Sequence, residues 1–555
     1  MASRLHRLRG LVERYRMDRR LPPVVADLMS DVARLRRDEA LEARTAASRS
    51  VLRPSTSDGP ALATGRDGRR LLETAGVLDV ACSELVHRCA TRVVEALDVA
   101  GCEPFLVERR DDGGLVVGVR HDLREDALDA VAAVGTGPGW FLEWAGGRRS
   151  GLVALADAPA SRPVRRARSW RIFEARTWGE RAIGARQAVE VGFWHPGTSG
   201  QLELVGTRGQ ARFDERAEPT TEVLDGHRYP GRSAFPVAAG LERMSDPVDL
   251  VFTWVDGGDP TWQESFREAA LSEGRALDER ALDAARYEVR DELRYALRSV
   301  WANCGWARRI HLVTAGQVPD WFVGDERVRI VDHSEIFPPE ALPTFNSHSI
   351  EASLHRIDDL AEHFVYLNDD MFVARAVTPE LFFTPNGLAR VFQSDARVPA
   401  VEDPDTLAVD TAALRGRELL RRRFGRIVAH KPLHSPYPLR RSAIGDAERE
   451  FPDEFAATVR SRFRSPSDLS VAASFAQHHC LATGRAVLGE LSSEYVHVES
   501  GRLAWHLDRI LLDDELDTFC LNATRAGLAG QEERDAMIAR FLEERFPVPS
   551  PWERT

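Results

Sequence analysis

Three polar side chains follow a strongly apolar run in the second half of the chain. The run FVYL covers residues 364 to 367, and Asn368, Asp369 and Asp370 come directly after it. Two adjacent carboxylates repel each other, and burying either one without a partner costs on the order of several kcal/mol. A divalent cation would balance them, and hard oxygen ligands suit Mg²⁺ or Mn²⁺. The other interpretation is a strand-end turn in which Asn and Asp side chains bond the backbone.

The elements that would position these side chains begin near residue 246. From there on, strand-like runs alternate with helical stretches of about 10 to 15 residues, which is typical of βαβ units around a parallel sheet. Ligands of such sheets bind beyond the carboxyl ends of the strands. Asp256, Thr314, His333 and residues 368 to 370 all fall at predicted strand ends. Because side chains alternate along a strand, we expect one aspartate of the pair to bind the metal and the other to support the loop.

The length of 555 residues predicts two or three domains. Residues 1 to 50 predict two helices separated at the prolines of LPP, and a polar linker follows. Residues 70 to 240 mix one long helical pattern with short strands between glycines, which predicts an accessory α/β or α+β domain of unknown role. Residues 246 to 555 form a further predicted domain, an α/β domain of the Rossmann-like type.

The first 20 residues alternate charged and apolar positions and predict a basic amphipathic helix. We expect this helix to pack on its own protein. Peripheral docking on a membrane and formation of a homodimer are the alternatives.

The composition excludes several classes of protein. With 43% hydrophobic and 29% charged residues the chain is an ordinary globular protein, and its net charge of -12 argues against a dedicated nucleic-acid binder. Six cysteines without C-x-x-C spacing predict neither a zinc site nor a disulfide framework. The sequence shows no signal-peptide core and no transmembrane stretch, so we expect a cytoplasmic protein, at most bound to the inner face of the membrane.

Several stretches after residue 246 resemble, in order, the four conserved blocks of the Stealth family. They are VDLVFTWVDGGDPTW, RDELRYALRSVWANCGWARRIHLVTAGQVPDW, LPTFNSHSIEASLHRI with FVYLNDD, AHKPLHSPYPLRRS followed by FR, and CLN with FLEERFPVPSPWE. The family comprises bacterial capsular polysaccharide sugar-phosphate transferases and the animal enzyme that makes the mannose 6-phosphate tag on lysosomal hydrolases. Residues 1 to 240 lie outside the resemblance.

The resemblance implies a nucleotide-sugar-binding, glycosyltransferase-A-like fold with helical insertions. It also implies transfer of hexose 1-phosphate, typically N-acetylglucosamine 1-phosphate from the UDP-sugar, to a hydroxyl of a polysaccharide or oligosaccharide acceptor. UMP would be released, and the product would belong to capsule or cell-wall polysaccharide synthesis. In such a phosphoryl transfer the barrier is lowered mainly by positioning and by neutralising charge on the phosphoryl oxygens.

The same resemblance assigns the central residues of the site. Asp370 is carried over as an essential acidic residue, which we assign to the metal together with Asn522. The family usually has an aspartate after this asparagine, whereas this chain has Ala523, so either that carboxylate did not touch the metal or the site is weaker here. His430 of HKP matches the reactive histidine, a general base or a phosphate hydrogen-bond donor. Arg464 of FR matches the functional arginine, whose fork could hold two phosphoryl oxygens.

Other side chains are predicted to bind the donor. Asp256 and Gly257 would border the uridine or ribose, because glycine permits close approach of the backbone. Arg294 could reach the diphosphate. The candidates for contacts with donor or sugar hydroxyls, or for support of the metal ligands, are Asn346, His348, Glu351 and Asp369. For each of them, helix capping, an ion pair or simple packing is the alternative role.

Two other functions stay open. A metal-dependent glycosyltransferase of the same fold would release UDP, although such an enzyme does not require the HKP and FR blocks. A non-catalytic protein that binds nucleotide sugars or polysaccharide agrees with Ala523, but disagrees with the presence of Asp370, His430 and Arg464.

Overall fold

The computed structural model describes residues 51–52, 62–64, 71–110, 112–146, 149–179, 181–197, 200–206, 209–273, 291–399, 408–523 and 530–554. The predicted helical segment 1–50 lies outside the described residues. The predictions of membrane docking and of dimer formation through that segment therefore stay predictions.

The chain before residue 240 is rich in strands. They are β1 (Val51–Leu52), β2 (Leu62–Thr64), β3 (Leu71–Glu73), β4 (Phe105–Arg109), β5 (Leu115–Arg120), β6 (Trp140–Gly146), β7 (Arg149–Ala154), β8 (Ser169–Glu174), β9 (Arg176–Trp178), β10 (Arg181–Ile183), β11 (Val189–Pro196), β12 (Gln201–Gly206), β13 (Gly209–Asp214), β14 (Pro219–Leu224) and β15 (His227–Arg232). An eight-stranded sheet contains β4 to β8 and β11 to β13, and β14 pairs with β15. The helices are α1 (Cys82–Val99), α2 (Arg124–Val134) and α3 (Arg162–Arg165). Helix α1 packs on the eight-stranded sheet through a buried stripe at helical spacing, formed by Leu85, Cys89, Val93 and Leu97.

The chain from residue 248 onward forms an α/β unit. Its strands are β16 (Val248–Thr253), β17 (Ile310–Thr314), β18 (Val328–Asp332), β19 (His363–Asn368), β20 (Met371–Val373), β21 (Ala389–Arg397), β22 (His430–Pro432), β23 (Tyr437–Arg440), β24 (Ala486–Gly489), β25 (Ser493–His497) and β26 (Thr518–Asn522). The main sheet has the order β18-β17-β16-β19-β23. The first four strands are parallel and β23 is antiparallel to β19. The strand order reverses between β16 and β19, which is where ligands of Rossmann-like sheets bind.

Helices surround this sheet. They are α4 (Pro260–Ser272), α5 (Glu292–Asn303), α6 (His333–Ile336), α7 (Ser347–Ser353), α8 (Ala408–Phe424), α9 (Arg441–Glu450), α10 (Pro452–Arg460), α11 (Ala476–Ala482), α12 (Leu503–Leu512) and α13 (Gln531–Arg545). A π-helical turn, Val471–Phe475, leads into α11. Helices α8 to α11 are inserted between β21 and β24, so the predicted α/β class and its helical insertions are confirmed.

Two smaller sheets complete the unit, in the orders β20-β26-β25 and β22-β21-β24. The first of them is continuous with the main sheet along the chain, because only Asp369 and Asp370 separate β19 from β20. The apolar run of β19 is buried up to Leu367, burial is partial from Asn368 to Asp370, and the chain is fully buried again from Met371. The chain turns at Asp369 and Asp370.

A buried carboxylate holds the central strand in place. Asp249 of β16 is fully buried and accepts hydrogen bonds from the Arg308 guanidinium at 2.8 and 2.6 Å and from the backbone N–H of Ala361 at 2.8 Å. His311 Nε2 lies 3.2 Å from the same carboxylate. Desolvation raises the pKa of Asp249, but these donors outweigh it and lower that pKa to about 2. The carboxylate therefore ties β16 to β17 and to the turn before β19.

Among the described residues, every strand pairing joins residues up to 232 with one another or residues from 248 with one another. The predicted division into residues 70–240 and 246–555 stays a prediction that agrees with these pairings. The two parts touch where the Trp178 indole N–H donates to the backbone oxygen of Arg545 at 2.7 Å. None of the described helices is both long enough and apolar enough to cross a membrane.

Candidate functional site

The turn between β19 and β20 places Asp370 beside two side chains that are distant in sequence. One ligand atom of each of Asp370, His434 and Cys520 lies within 4.8 Å of the other two. Strand pairing explains the approach of Cys520, because Met371 of β20 pairs with Cys520 of β26 and the N–H of Leu521 donates to the Asp370 backbone oxygen at 3.1 Å. The backbone of two strands therefore fixes the position of Asp370.

The position of His434 follows from the register of β19 and β23. These strands are antiparallel, and Tyr366 is paired with Tyr437. His434 lies three residues before Tyr437, and Asp369 lies three residues after Tyr366, so the same register brings His434 alongside the two aspartates. His434 Nδ1 is 2.8 Å from the Tyr437 hydroxyl. That contact sets the orientation of the imidazole ring.

Two atoms of this cluster are buried and have no hydrogen-bond partner in the described structure: Asp370 Oδ1 and His434 Nε2. Buried polar atoms are normally paired, and exceptions need an explanation such as a bound ligand or ion. The pair of open atoms, one a carboxylate oxygen and the other an imidazole nitrogen, can hold a cation or a group that carries a proton. These two unpartnered atoms are the strongest structural indication that a ligand or an ion binds here.

The surroundings of His434 favour its neutral form, because they lower its pKa. Desolvation by the surrounding protein lowers its pKa, and the Arg464 cation acts in the same direction, whereas the carboxylates of Asp370 and Glu351 act against them. A neutral imidazole can accept a proton from a substrate hydroxyl. Desolvation and the neighbouring charge of Asp370 also raise the pKa of Asp369 to about 7. Two ionised carboxylates are thus costly at this turn without a compensating cation.

The residues present fit a divalent cation. Asp370 offers its unpartnered carboxylate oxygen, and Asn522 Nδ2 lies 3.3 Å from Asp370 Oδ2, so rotation of that amide presents its oxygen to the same space. Asp369 adds a second carboxylate one residue away. Mg²⁺ binds in this way, through one or two carboxylates plus substrate phosphate oxygens. His434 and Cys520 contribute nitrogen and sulfur atoms, which softer metals prefer.

Arg464 lies on a loop that is tied to the start of helix α7. Its guanidinium donates to Ser347 Oγ at 2.7 Å. Asn346, fully buried, caps α7 by accepting from the N–H of His348 at 3.1 Å and donates to Asp468 Oδ2 at 2.8 Å. His348 Nδ1 lies 3.6 Å from the same carboxylate. These polar groups fix the loop that carries the arginine.

The residues predicted to contact the donor include Glu351, Asn346 and His348, and all three contact other protein groups in the structure. Glu351 is buried near His434, and its Oε2 accepts from the N–H groups of residues 472 and 473 at 3.0 and 3.2 Å. Asn346 and His348 contact protein groups in the structure, and both lie beside the loop that carries Arg464. Direct contact of these side chains with the donor stays a prediction.

Asp256 and Gly257 lie after the carboxyl end of β16, beside the point where the strand order reverses. Asp256 Oδ1 accepts from the N–H of Gly258 at 2.8 Å, and the Gly257 oxygen accepts from Gln263 Nε2 at 2.9 Å. This location agrees with their predicted role at the nucleotide, which stays a prediction.

Arg294 is engaged within the protein. It pairs with Asp291 at 3.2 Å and lies over the ring of Trp321 at 5.0 Å. The described contacts do not connect it to Asp370. Its predicted role at the diphosphate is untested.

The structure brings a different histidine to Asp370 than the one that the sequence suggested. His430 lies in β22, where its Nδ1 is 3.1 Å from the backbone oxygen of Ser394. No described contact joins His430 to Asp370. His434, in the same HKPLHSPY stretch, was missed, because only the pairing of β23 with β19 shows which of the two reaches the aspartates.

Comparisons with known proteins agree with the motifs. Models of the Stealth conserved regions match residues 246–272 (conserved region 1), 286–391 (region 2), 433–481 (region 3) and 508–555 (region 4). The match to region 3 includes His434 and Arg464 and begins beyond His430.

Relatives and a solved structure extend the comparison. Exopolysaccharide phosphotransferase SCO6021 of Streptomyces coelicolor is 39% identical over 530 residues, which cover 90% of this chain and 95% of that protein. Exopolysaccharide phosphotransferase CpsY of Mycobacterium leprae is 33% identical over 461 residues, covering 81% of this chain and 84% of that protein. The crystal structure of the galactosyltransferase LgtC with donor and acceptor sugar analogues covers 55% of this chain and 98% of its own, at 15% identity and a TM-score of only 0.26. On the strength of the relatives and of all four conserved regions, the chain belongs to the Stealth family.

Proposed function

We propose that this protein is a sugar-phosphate transferase that moves hexose 1-phosphate from a UDP-sugar to a hydroxyl of a glycan acceptor. The donor sugar is N-acetylglucosamine, the product is a phosphodiester, and UMP leaves. The observation that carries the proposal is the pair of buried, unpartnered atoms Asp370 Oδ1 and His434 Nε2 beyond the carboxyl end of strand β19. Stealth relatives named exopolysaccharide phosphotransferases support the reaction class.

In this reaction the acceptor oxygen attacks the β-phosphorus of the donor. A new oxygen–phosphorus bond forms, the bond from that phosphorus to the bridging oxygen of UMP breaks, and the acceptor proton moves to His434 Nε2. With Nδ1–H donating to the Tyr437 hydroxyl, Nε2 presents its lone pair to the acceptor. Arg464 binds phosphoryl oxygens and stabilises the charge that they carry in the transition state.

A divalent cation, Mg²⁺ or Mn²⁺, when bound by Asp370 and Asn522 would neutralise charge on the two phosphates. The chain's own part is to hold those ligands at the turn and to keep Asp369 next to them. Asp256 and Gly257 would contact the uridine, since they lie on the β16 side of the switch point.

His434 replaces His430 as the proposed base, and a matched pair of variants separates them. We expect His434→Gln to lower kcat by about 100-fold or more, the usual contribution of a general base. His430→Gln removes the same functional group four residues away and is expected to lower kcat far less. A large loss in His430→Gln with an active His434→Gln protein would reverse the assignment.

Product analysis tests the reaction itself. The purified protein is incubated with UDP-N-acetylglucosamine, Mg²⁺ and a panel of glycan acceptors, and the products are followed by phosphorus NMR. UMP together with a new phosphodiester signal is the expected result. UDP would identify a glycosyltransferase instead, and a donor that binds without turnover of any acceptor would favour a binding protein.

A further inference from the structure

Strand β25 exposes two aromatic side chains at the edge of the small sheet β20-β26-β25. Along the strand Glu494 and Val496 are buried, whereas Tyr495 and His497 point outward, with Tyr495 37% exposed. An exposed tyrosine next to an exposed histidine on an edge strand offers flat rings and polar tips to a ligand.

The register of the small sheet places these two rings on the face that carries the reaction centre. Strands β25 and β26 are parallel, Tyr495 is paired with Cys520, and His497 is paired with Asn522. Directly paired residues point to the same face of a sheet. Cys520 and Asn522 both lie beside Asp370, so the aromatic pair continues the surface on which Asp370 lies.

Tyr495 also contacts the proposed base. Its ring meets that of His434 edge-on, with centroids 5.5 Å apart, and meets that of His497 at 4.8 Å and 90°. Within the described part of the chain, neither the Tyr495 hydroxyl nor a ring nitrogen of His497 has a hydrogen-bond partner. These polar groups are therefore available to a bound molecule.

We propose that Tyr495 and His497 form the binding surface for the acceptor, and that they hold a pyranose ring of the glycan whose hydroxyl is phosphorylated. The inference rests on the proposed function. In an in-line displacement the acceptor oxygen approaches the phosphorus from the side opposite the leaving UMP. UMP belongs at the switch point between β16 and β19, whereas Tyr495 lies on the outermost strand of the second sheet, in contact with the base that takes the acceptor proton.

The chemistry of the two side chains fits a sugar. The apolar C–H face of a pyranose can lie on the tyrosine ring, while the phenol and the imidazole bond its hydroxyls. A nucleobase could also stack there, so the test must separate acceptor from donor. The carbohydrate probes are chitotetraose, maltotetraose and mannotetraose, and the donor probe is UDP-N-acetylglucosamine.

Saturation-transfer NMR on the full chain measures binding without turnover. We expect at least one tetrasaccharide to bind the wild type, and Tyr495→Ala to weaken it by about three- to tenfold, the range for one aromatic contact. Tyr495→Phe keeps the ring and is expected to retain most of the binding. Donor affinity should be unchanged in both variants. Val323→Ala, which trims an exposed side chain (44% exposed) on the loop between β17 and β18, is the control.

Three results would overturn the inference, and the first two concern tetrasaccharide binding. They are a Tyr495→Ala protein that binds every tetrasaccharide as the wild type does, and a wild type that binds none of them. The third is a variant whose affinity falls for UDP-N-acetylglucosamine but not for the tetrasaccharides, which would assign the surface to the donor. Failure of the proposed reaction looks different: tetrasaccharide binding would still depend on Tyr495, but the wild type would release UDP.

Discussion

Replacing Asn346 with alanine tests whether this side chain positions the Arg464 loop or contacts substrate. Asn346 is fully buried, caps helix α7, and bonds the backbone oxygens of Ser461 and Phe463 at 3.0 and 3.3 Å as well as Asp468. Loss of the cap costs about 1 kcal/mol. Loss of a donor to a fully buried carboxylate costs about 1 to 3 kcal/mol more. We therefore expect a destabilisation of about 2 to 4 kcal/mol.

The assay combines urea unfolding with steady-state kinetics. Asn346→Ala should unfold at lower urea and lose kcat, because the Arg464 loop is no longer fixed, while KM for the donor changes little. Asn346→Ser is the matched control, since serine keeps a capping oxygen and should recover about 1 kcal/mol. A variant of wild-type stability whose donor KM is raised would refute this reasoning and show that the amide contacts the donor.

Three further predictions concern buried charge and the reaction centre. Asp249→Asn should lose about 1 to 3 kcal/mol at neutral pH, because the buried charge-assisted hydrogen bonds from Arg308 are weakened while that partly exposed guanidinium keeps its pair with Asp359. The folded pKa of Asp249 is lowered to about 2, so the stabilisation from its charged form is present above about pH 4 and is lost as the pH falls towards 2. Between these pH values the urea midpoint of the wild type should decrease more than that of the variant. The pKa of His434 is lowered, so the apparent pKa on the acid side of the pH–kcat profile should lie below about 6.5, the ordinary value for histidine. An apparent pKa above that value would contradict the assignment of His434 as the base. Asp370→Asn should abolish thermal stabilisation by Mn²⁺, which for wild type at 100 times Kd amounts to about 2.7 kcal/mol; an equal shift in both proteins would place the metal elsewhere.

The sequence predicted the elements of the catalytic sheet well, because each strand is a short apolar run that ends in polar residues. Strand β19 ends at Asn368, as the FVYLNDD pattern indicates. The first strand was expected to continue to Asp256, but β16 ends at Thr253. Its neighbours β17 and β19 end at the same level, so the ladder has no partners beyond that point. Local pattern carries no information about where the neighbouring strands stop.

The candidate site could be named only in part from the sequence, and the omissions share one cause. Asp370, Asn522 and Arg464 were named from motifs and their roles stay predictions, whereas His434, which the structure brings beside Asp370, and Tyr495, which contacts His434, were not named. Each of the latter reaches the site through strand pairing, β23 on β19 and β25 on β26. Residues that meet across a sheet are separated by tens of residues in the chain, and a single sequence does not show their register.

The pairings of the small sheet do not depend on the side chain at position 523, where this chain has Ala523 and the family resemblance implies an aspartate. Asp370 is held by the pairing of β20 with β26 and by the N–H of Leu521, and neither contact involves the side chain at position 523. The alanine therefore lowers the negative charge of the site without moving Asp370. We expect Ala523→Asp to tighten Mn²⁺ binding by about tenfold in calorimetry, the lower end of the effect of groups around a metal. Ala523→Asn, the neutral control of equal size, should not. Equal affinities in all three proteins would mean that a carboxylate at this position does not act on the metal.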